Sequence, residues 1–144
     1  MEANGLRDAR LRKDLLDLYW SLAAYDEVPA MLAALKTAGL NTAILSNGSL
    51  DMLDGAVVSA GLTDRLDAIL SVDTVGVFKP DSRVYDLVGA HFGCEVEEVL
   101  FVSSNGFATA WVNRADEPVD RLPWTPRHQL RDLTGIPEIA GCKK

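Results

Sequence analysis

Apolar residues recur at helical spacing near the start of the chain, at Leu6, Leu11, Leu15, Leu18 and Leu22, interleaved with Arg7, Asp8, Arg10, Arg12, Lys13, Asp14 and Asp17. This pattern predicts an amphipathic helix over residues 6–22. A second helix is predicted from Pro29, a residue favoured in a first turn, through Met31, Leu32 and Leu35 to Gly39, which suits a C-terminal cap. The pattern then changes. Leu40 to Leu45 reads as a buried parallel strand that ends in Ser46-Asn47-Gly48-Ser49, after which Met52, Leu53, Val57 and Val58 resume helical spacing up to Gly61. Residues 67–72, DAILSV, predict another strand. Ser82 to Phe92 predicts a further helix before Gly93, and EVLFVSS makes one more buried strand.

Strand and helix alternating in units of about 30 residues argue for an α/β domain with a mostly parallel sheet. In such sheets ligands sit outside the carboxyl ends of the strands. Ser46 and Asn47 occupy one such end, and Ser103, Ser104 and Asn105 occupy another. Lys79 lies in the loop after a third, where Pro80 biases it toward an extended backbone and bars a helix from running through it. The alternation fails after Asn105. The strand predicted over Thr109 to Asn113 begins too soon for an ordinary parallel crossover. Asn105-Gly106 between apolar strands is a strong turn signal, so an antiparallel hairpin is predicted here.

Length and composition narrow the class. The chain has 144 residues, 48% hydrophobic and 24% charged, enough for one domain with a real core. No apolar run is long enough to span a membrane and no signal-peptide pattern opens the chain, so a soluble, cytoplasmic protein is expected. Fourteen Lys and Arg against 21 Asp and Glu give a net charge of -7, which argues against nucleic acid or an anionic membrane as partner. Cys94 and Cys142 lack metal-ligand spacing and read as reduced thiols. There is no phosphate loop and no metal cluster, so neither a metal nor a cofactor is expected. His91 and His128 have no triad partner at a recognisable spacing, and Trp20, Trp111 and Trp124 read as packing.

AILSNGS, SVDTVGVFKPDSRVY, EVLFVSSNG and AWVNRADEPVDRL resemble the type II (S)-2-haloacid dehalogenases of the haloacid dehalogenase superfamily, over nearly the whole chain. The resemblance implies a Rossmann-like parallel sheet flanked by helices. It implies hydrolytic displacement of halide from a short 2-haloalkanoic acid by a nucleophilic aspartate, through an ester that water then cleaves. It assigns the substrate carboxylate and the leaving halide to Ser46 and Asn47. Lys79 would pair with the nucleophile and the substrate carboxylate, and Tyr85, on the following helix, would close the pocket. Ser103 and Asn105 would orient the nucleophile and the hydrolytic water.

The sequence departs from the family pattern in two places. Nothing before Ser46 matches the strand that carries the nucleophilic aspartate, or most of the helical cap. Residues 1–28 therefore read as a remnant of that cap, and 29–144 as an incomplete core. After Asn105-Gly106 about ten residues of a normal crossover are missing, with the family's next aspartate among them. Asp51, Asp73 and Asp81 are the nearest substitutes for the nucleophile, yet none ends a central strand. In the family the first strand lies between the strand at Leu40 to Leu45 and that at Val99 to Ser103. Unpaired buried backbone groups cost about 1 to 3 kcal/mol each, so those two strands should pair directly, or a homodimer should form along the open edge. The alternatives to a dehalogenase are a catalytically inactive remnant, an interaction module that captures a strand at that edge, a phosphatase of the wider superfamily, and a piece of a longer product.

Overall fold

Helical and extended segments fall close to where the polar and apolar pattern places them in the structure, a computed structural model that describes residues 9–103, 110–117 and 126–142. Helix α1 (Ala9–Asp17) gives way to a tighter 3-10 turn at Leu18–Ser21, so the α-helix ends earlier than the leucine spacing predicts. Aromatic residues lose rotamer freedom in a helix, and here the ring of Trp20 is placed over Gly55. A methyl group on Gly55 would lie 2.2 Å from that ring. Helix α2 (Val28–Thr37) carries Pro29 in its first turn and closes at Gly39, whose φ of 77° favours a residue without a Cβ. Strand β1 (Ala43–Ser46) begins three residues later than Leu40, because the Leu40 amide still donates to the Leu35 carbonyl at the end of α2.

Helix α3 (Leu50–Ser59), strand β2 (Ala68–Ser71) and helix α4 (Ser82–Phe92) follow the prediction. Strands β1 and β2 pair in parallel, from Ala43 opposite Ala68 to Ser46 opposite Ser71. Contacts divide the molecule into two units. The described part of the first comprises residues 9–25 and 42–87, with Leu53, Val57, Val72 and Val84 buried in it.

The second unit contains residues 26–41 and the described residues from 88 onward. Its sheet runs β3 (Val102–Ser103), β4 (Ala110–Val112) and β5 (His128–Leu130), all parallel. A short helix, α5 (Ile136–Ile139), packs on α2. Leu35, Ala110 and Ile136 form its core, with Leu100, Val102, Leu130 and Cys142 against it. Arg114 donates to Glu27, holding that carboxyl below its usual range, and the Leu133 amide donates to the same group.

Two expectations are corrected here. The antiparallel hairpin after Ser103 is not formed, since Val102 and Ser103 pair in parallel with Ala110 and Trp111. Three consecutive buried residues, Ala110, Trp111 and Val112, make β4 a central strand with a neighbour on each side. Long-range burial of this kind outweighs a local Asn-Gly preference; Asn105 and Gly106 themselves lie outside the described residues. Direct pairing of the Leu40–Leu45 strand with the Val99–Ser103 strand is not made among the described residues either: β1 forms a two-stranded sheet with β2, and β3 lies in the sheet of β4 and β5. Strand β5 and helix α5 were not foreseen, as the Arg- and Pro-rich segment before them masks their short apolar runs.

Candidate active site

The tetrapeptide Ala-Ile-Leu-Ser occurs twice, as β1 and as β2, and the two copies lie side by side in register. Parallel pairing brings both carboxyl ends to one edge, with Ser46 beside Ser71. After Ser46 the chain turns sharply into α3. The Gly48 amide donates to Ser46 Oγ at 3.1 Å, and Ser71 Oγ donates to the Gly48 carbonyl at 2.7 Å. Ser71 also accepts from the Asp73 amide at 3.1 Å, and Asp73 Oδ2 accepts from the Leu50 amide at the start of α3, again at 3.1 Å.

Lys79 comes to the same edge from the loop before α4. Its ammonium donates to the Leu45 carbonyl at 2.8 Å, and its backbone amide donates to Asn47 Oδ1 at 2.9 Å. Lys79 is half-buried, and burial lowers its pKa below the ordinary 10.5. Ser46, Asn47 and Lys79 are therefore brought together as the sequence predicts. Tyr85, half-buried, lies in the second turn of α4, directly after the fully buried Val84. Ser103 ends β3 in the second unit, and Asn105 lies outside the described residues.

The three aspartates weighed as nucleophiles have other engagements or settings. Asp73 holds the Leu50 amide. Asp81 accepts from the Arg83 amide at the start of α4 and from the Arg83 guanidinium through both oxygens, at 2.9 and 2.8 Å. The side-chain and backbone bonds from Arg83 hold its carboxyl down to about 2. Asp51 is exposed in the first turn of α3. Among the described residues no group of His, Cys, Asp and Glu side chains could hold a metal ion, and no helix is long and apolar enough to cross a membrane. Sequence reading missed Ser71 altogether; the repeated Ala-Ile-Leu-Ser was the signal that could have found it.

The model of the haloacid dehalogenase-like hydrolase family matches residues 4–106. The chain belongs to that family. Among curated haloacid dehalogenases, the (S)-2-haloacid dehalogenase of Pseudomonas sp. strain YL is 43% identical over 142 residues, which cover 92% of this chain and 61% of that protein. The (S)-2-haloacid dehalogenase of Xanthobacter autotrophicus is 48% identical over 100 residues, covering 69% of this chain and 39% of the relative. Of solved haloacid dehalogenase structures, the Xanthobacter autotrophicus L-2-haloacid dehalogenase with chloropropionic acid covalently bound superposes with a TM-score of 0.80 at 33% identity, covering 99% of this chain and 71% of that one. The chain thus spans about three fifths of the length of the Pseudomonas relative. The α/β fold with parallel sheets flanked by helices is that of the haloacid dehalogenases.

Proposed function

We propose that this chain carries the carboxylate-binding side of a (S)-2-haloacid dehalogenase site, which displaces halide hydrolytically from short 2-haloalkanoic acids. The observation that carries the reading is the hold of Lys79 on the end of β1, through Leu45 and Asn47. That hold puts a cation outside the carboxyl end of a parallel strand, where an acid would bind in such a sheet. The Lys79 ammonium would take the substrate carboxylate. Ser46, whose hydroxyl accepts here, has a proton to donate to it, and Asn47 would meet the leaving halide. Tyr85 would bound the pocket. The parts that resemblance gives Ser103 and Asn105 belong to the same proposal.

The displacement itself requires a carboxylate that attacks the halogen-bearing carbon, expels halide and forms an ester, which water then splits to the hydroxy acid. Asp73 and Asp81 are held at the starts of helices, and Asp51 is exposed on α3. We infer that none of these three aspartates is the attacking carboxylate. The surroundings proposed are the cytoplasm, and the assembly a homodimer joined at a strand edge, for which β1 and β3 each stand at the end of their sheet's strand order.

Halide release from (S)-2-chloropropionate at alkaline pH, with the (R) enantiomer as control, tests this together with NMR titration of the same acids. Enantioselective binding is expected. Enantioselective release would show that a carboxylate of this chain attacks the halogen-bearing carbon, and absence of binding would overturn the reading.

A further inference from the structure

Two serines from two copies of one tetrapeptide hold Gly48 from opposite sides. Its amide donates to Ser46 and its carbonyl accepts from Ser71. The two serines do different work. Ser71 is buried, with 4% of its surface exposed, and its hydroxyl both donates to Gly48 and accepts from Asp73. A hydroxyl engaged in this way from within the protein orients backbone and does not meet a ligand. Asp73 is exposed, and its carboxylate is bonded to the Leu50 amide. The turn from Ser46 to Leu50 is thereby bonded at two points, to the last residue of β2 and to the segment that follows it. Between those points and β1 sits Asn47, exposed, and its side chain accepts from the Lys79 amide.

We propose that Ser71 and Asp73 are positioning residues that fix the Ser46–Ser49 turn in its carboxylate-binding geometry. This deepens the function proposed above and rests on the reading of Ser46, Asn47 and Lys79 as the carboxylate site. The physical basis is preorganisation. A turn that visits its binding geometry only part of the time binds with a dissociation constant raised by the inverse of that fraction. Removing either bond lets Gly48 or Leu50 move and carries Asn47 away from Lys79. Thr at position 71 keeps a hydroxyl and Asn at position 73 keeps an acceptor oxygen, so both substitutions preserve the bonds.

The test uses the isotopically labelled chain and its variants Ser71→Ala, Ser71→Thr, Asp73→Ala and Asp73→Asn. Each is titrated with (S)-2-chloropropionate by NMR, and amide exchange is followed at Leu50 and Lys79. The alanine variants should bind about tenfold more weakly or worse, as expected when the competent fraction falls to about a tenth, and exchange faster at both amides. Ser71→Thr and Asp73→Asn should keep wild-type affinity and exchange. A purely structural role would lower the melting temperature and leave affinity unchanged; that result overturns the proposal. If Ser71→Ala does not fold, Asp73→Ala at its exposed position decides alone. If the wild-type chain binds no acid, the functional reading fails and the proposal that rests on it falls too, whereas wild-type binding with unweakened binding in the alanine variants overturns the positioning role alone.

Discussion

The Lys79 ammonium donates to the Leu45 carbonyl across 2.8 Å, joining two residues 34 positions apart in the chain. A cation bonded to the penultimate residue of a parallel strand is held in place by the sheet, at the edge where the acid is proposed to bind. Lys79→Met keeps the length and apolar stem and removes the charge. It should weaken (S)-2-chloropropionate binding by about tenfold or more, equivalent to about 1.4 kcal/mol, without lowering the melting temperature. Lys79→Arg should not restore binding, because a planar guanidinium does not reproduce a compact ammonium. NMR titration and thermal unfolding measure the two effects separately.

Burial lowers the Lys79 pKa from 10.5. Between the depressed folded value and 10.5 the unfolded chain keeps a proton that the folded chain has released, so this group makes stability rise with pH across that window. Below the window the charged, partly desolvated ammonium opposes folding. Urea unfolding of wild type and Lys79→Met over that range should show their difference shift in favour of the wild type as pH rises. Bound carboxylate, an opposite charge nearby, should raise the Lys79 pKa, which side-chain NMR titration would report.

Asp81 should titrate at about 2 because the Arg83 side chain and amide both donate to its carboxylate. The depressed value means that its contribution to stability is present above 3.8 and is lost as pH falls from there through about 2. Arg83→Gln should bring the titration back toward 3.8, leaving the amide bond alone to lower it. Carboxyl-carbon NMR across the acid range reads both.

Gly55→Ala should displace the Trp20 ring, because the added carbon would lie 2.2 Å from two ring atoms. Overpacking of this kind costs about 1 to 3 kcal/mol. Trp20 is already 56% exposed, so relief comes by its moving outward, with a red shift of tryptophan emission and a lower melting temperature. An unchanged spectrum would mean that the 3-10 turn at Leu18–Ser21 does not hold the ring against α3.

Much of the local structure was legible because its causes are local. Gly39, Gly61 and Gly93 stop helices at φ values of 77°, 66° and 66°, which side chains with a Cβ rarely adopt, and each stop was readable as a glycine after an apolar helical pattern. Ser82 to Phe92 was legible for the same reason, bounded by Pro80 and Gly93. That Ser46, Asn47 and Lys79 meet at one edge was legible because polar residues at the ends of apolar strands of a parallel sheet have one edge to share. Ser71 and Asp73 were not. Their bonds to Gly48 and Leu50 each cross 23 positions, and neither local spacing nor polarity separates a buried orienting hydroxyl from an ordinary strand-end serine.

The direction of β4 shows the same division. Asn105-Gly106 spoke for a hairpin, whereas Ala110, Trp111 and Val112 entered the sheet parallel to both β3 and β5. What the sequence determined by itself was the helices from α2 to α4, the glycine stops that end them and the family, since backbone sterics and apolar period act within a few residues. What only the tertiary structure decided was strand direction, the pairing of β1 with β2, and which serine bonds which backbone group. Those depend on burial and hydrogen bonding between segments far apart in the chain, where the stability gained by covering Trp111 outweighs the preference of a two-residue turn.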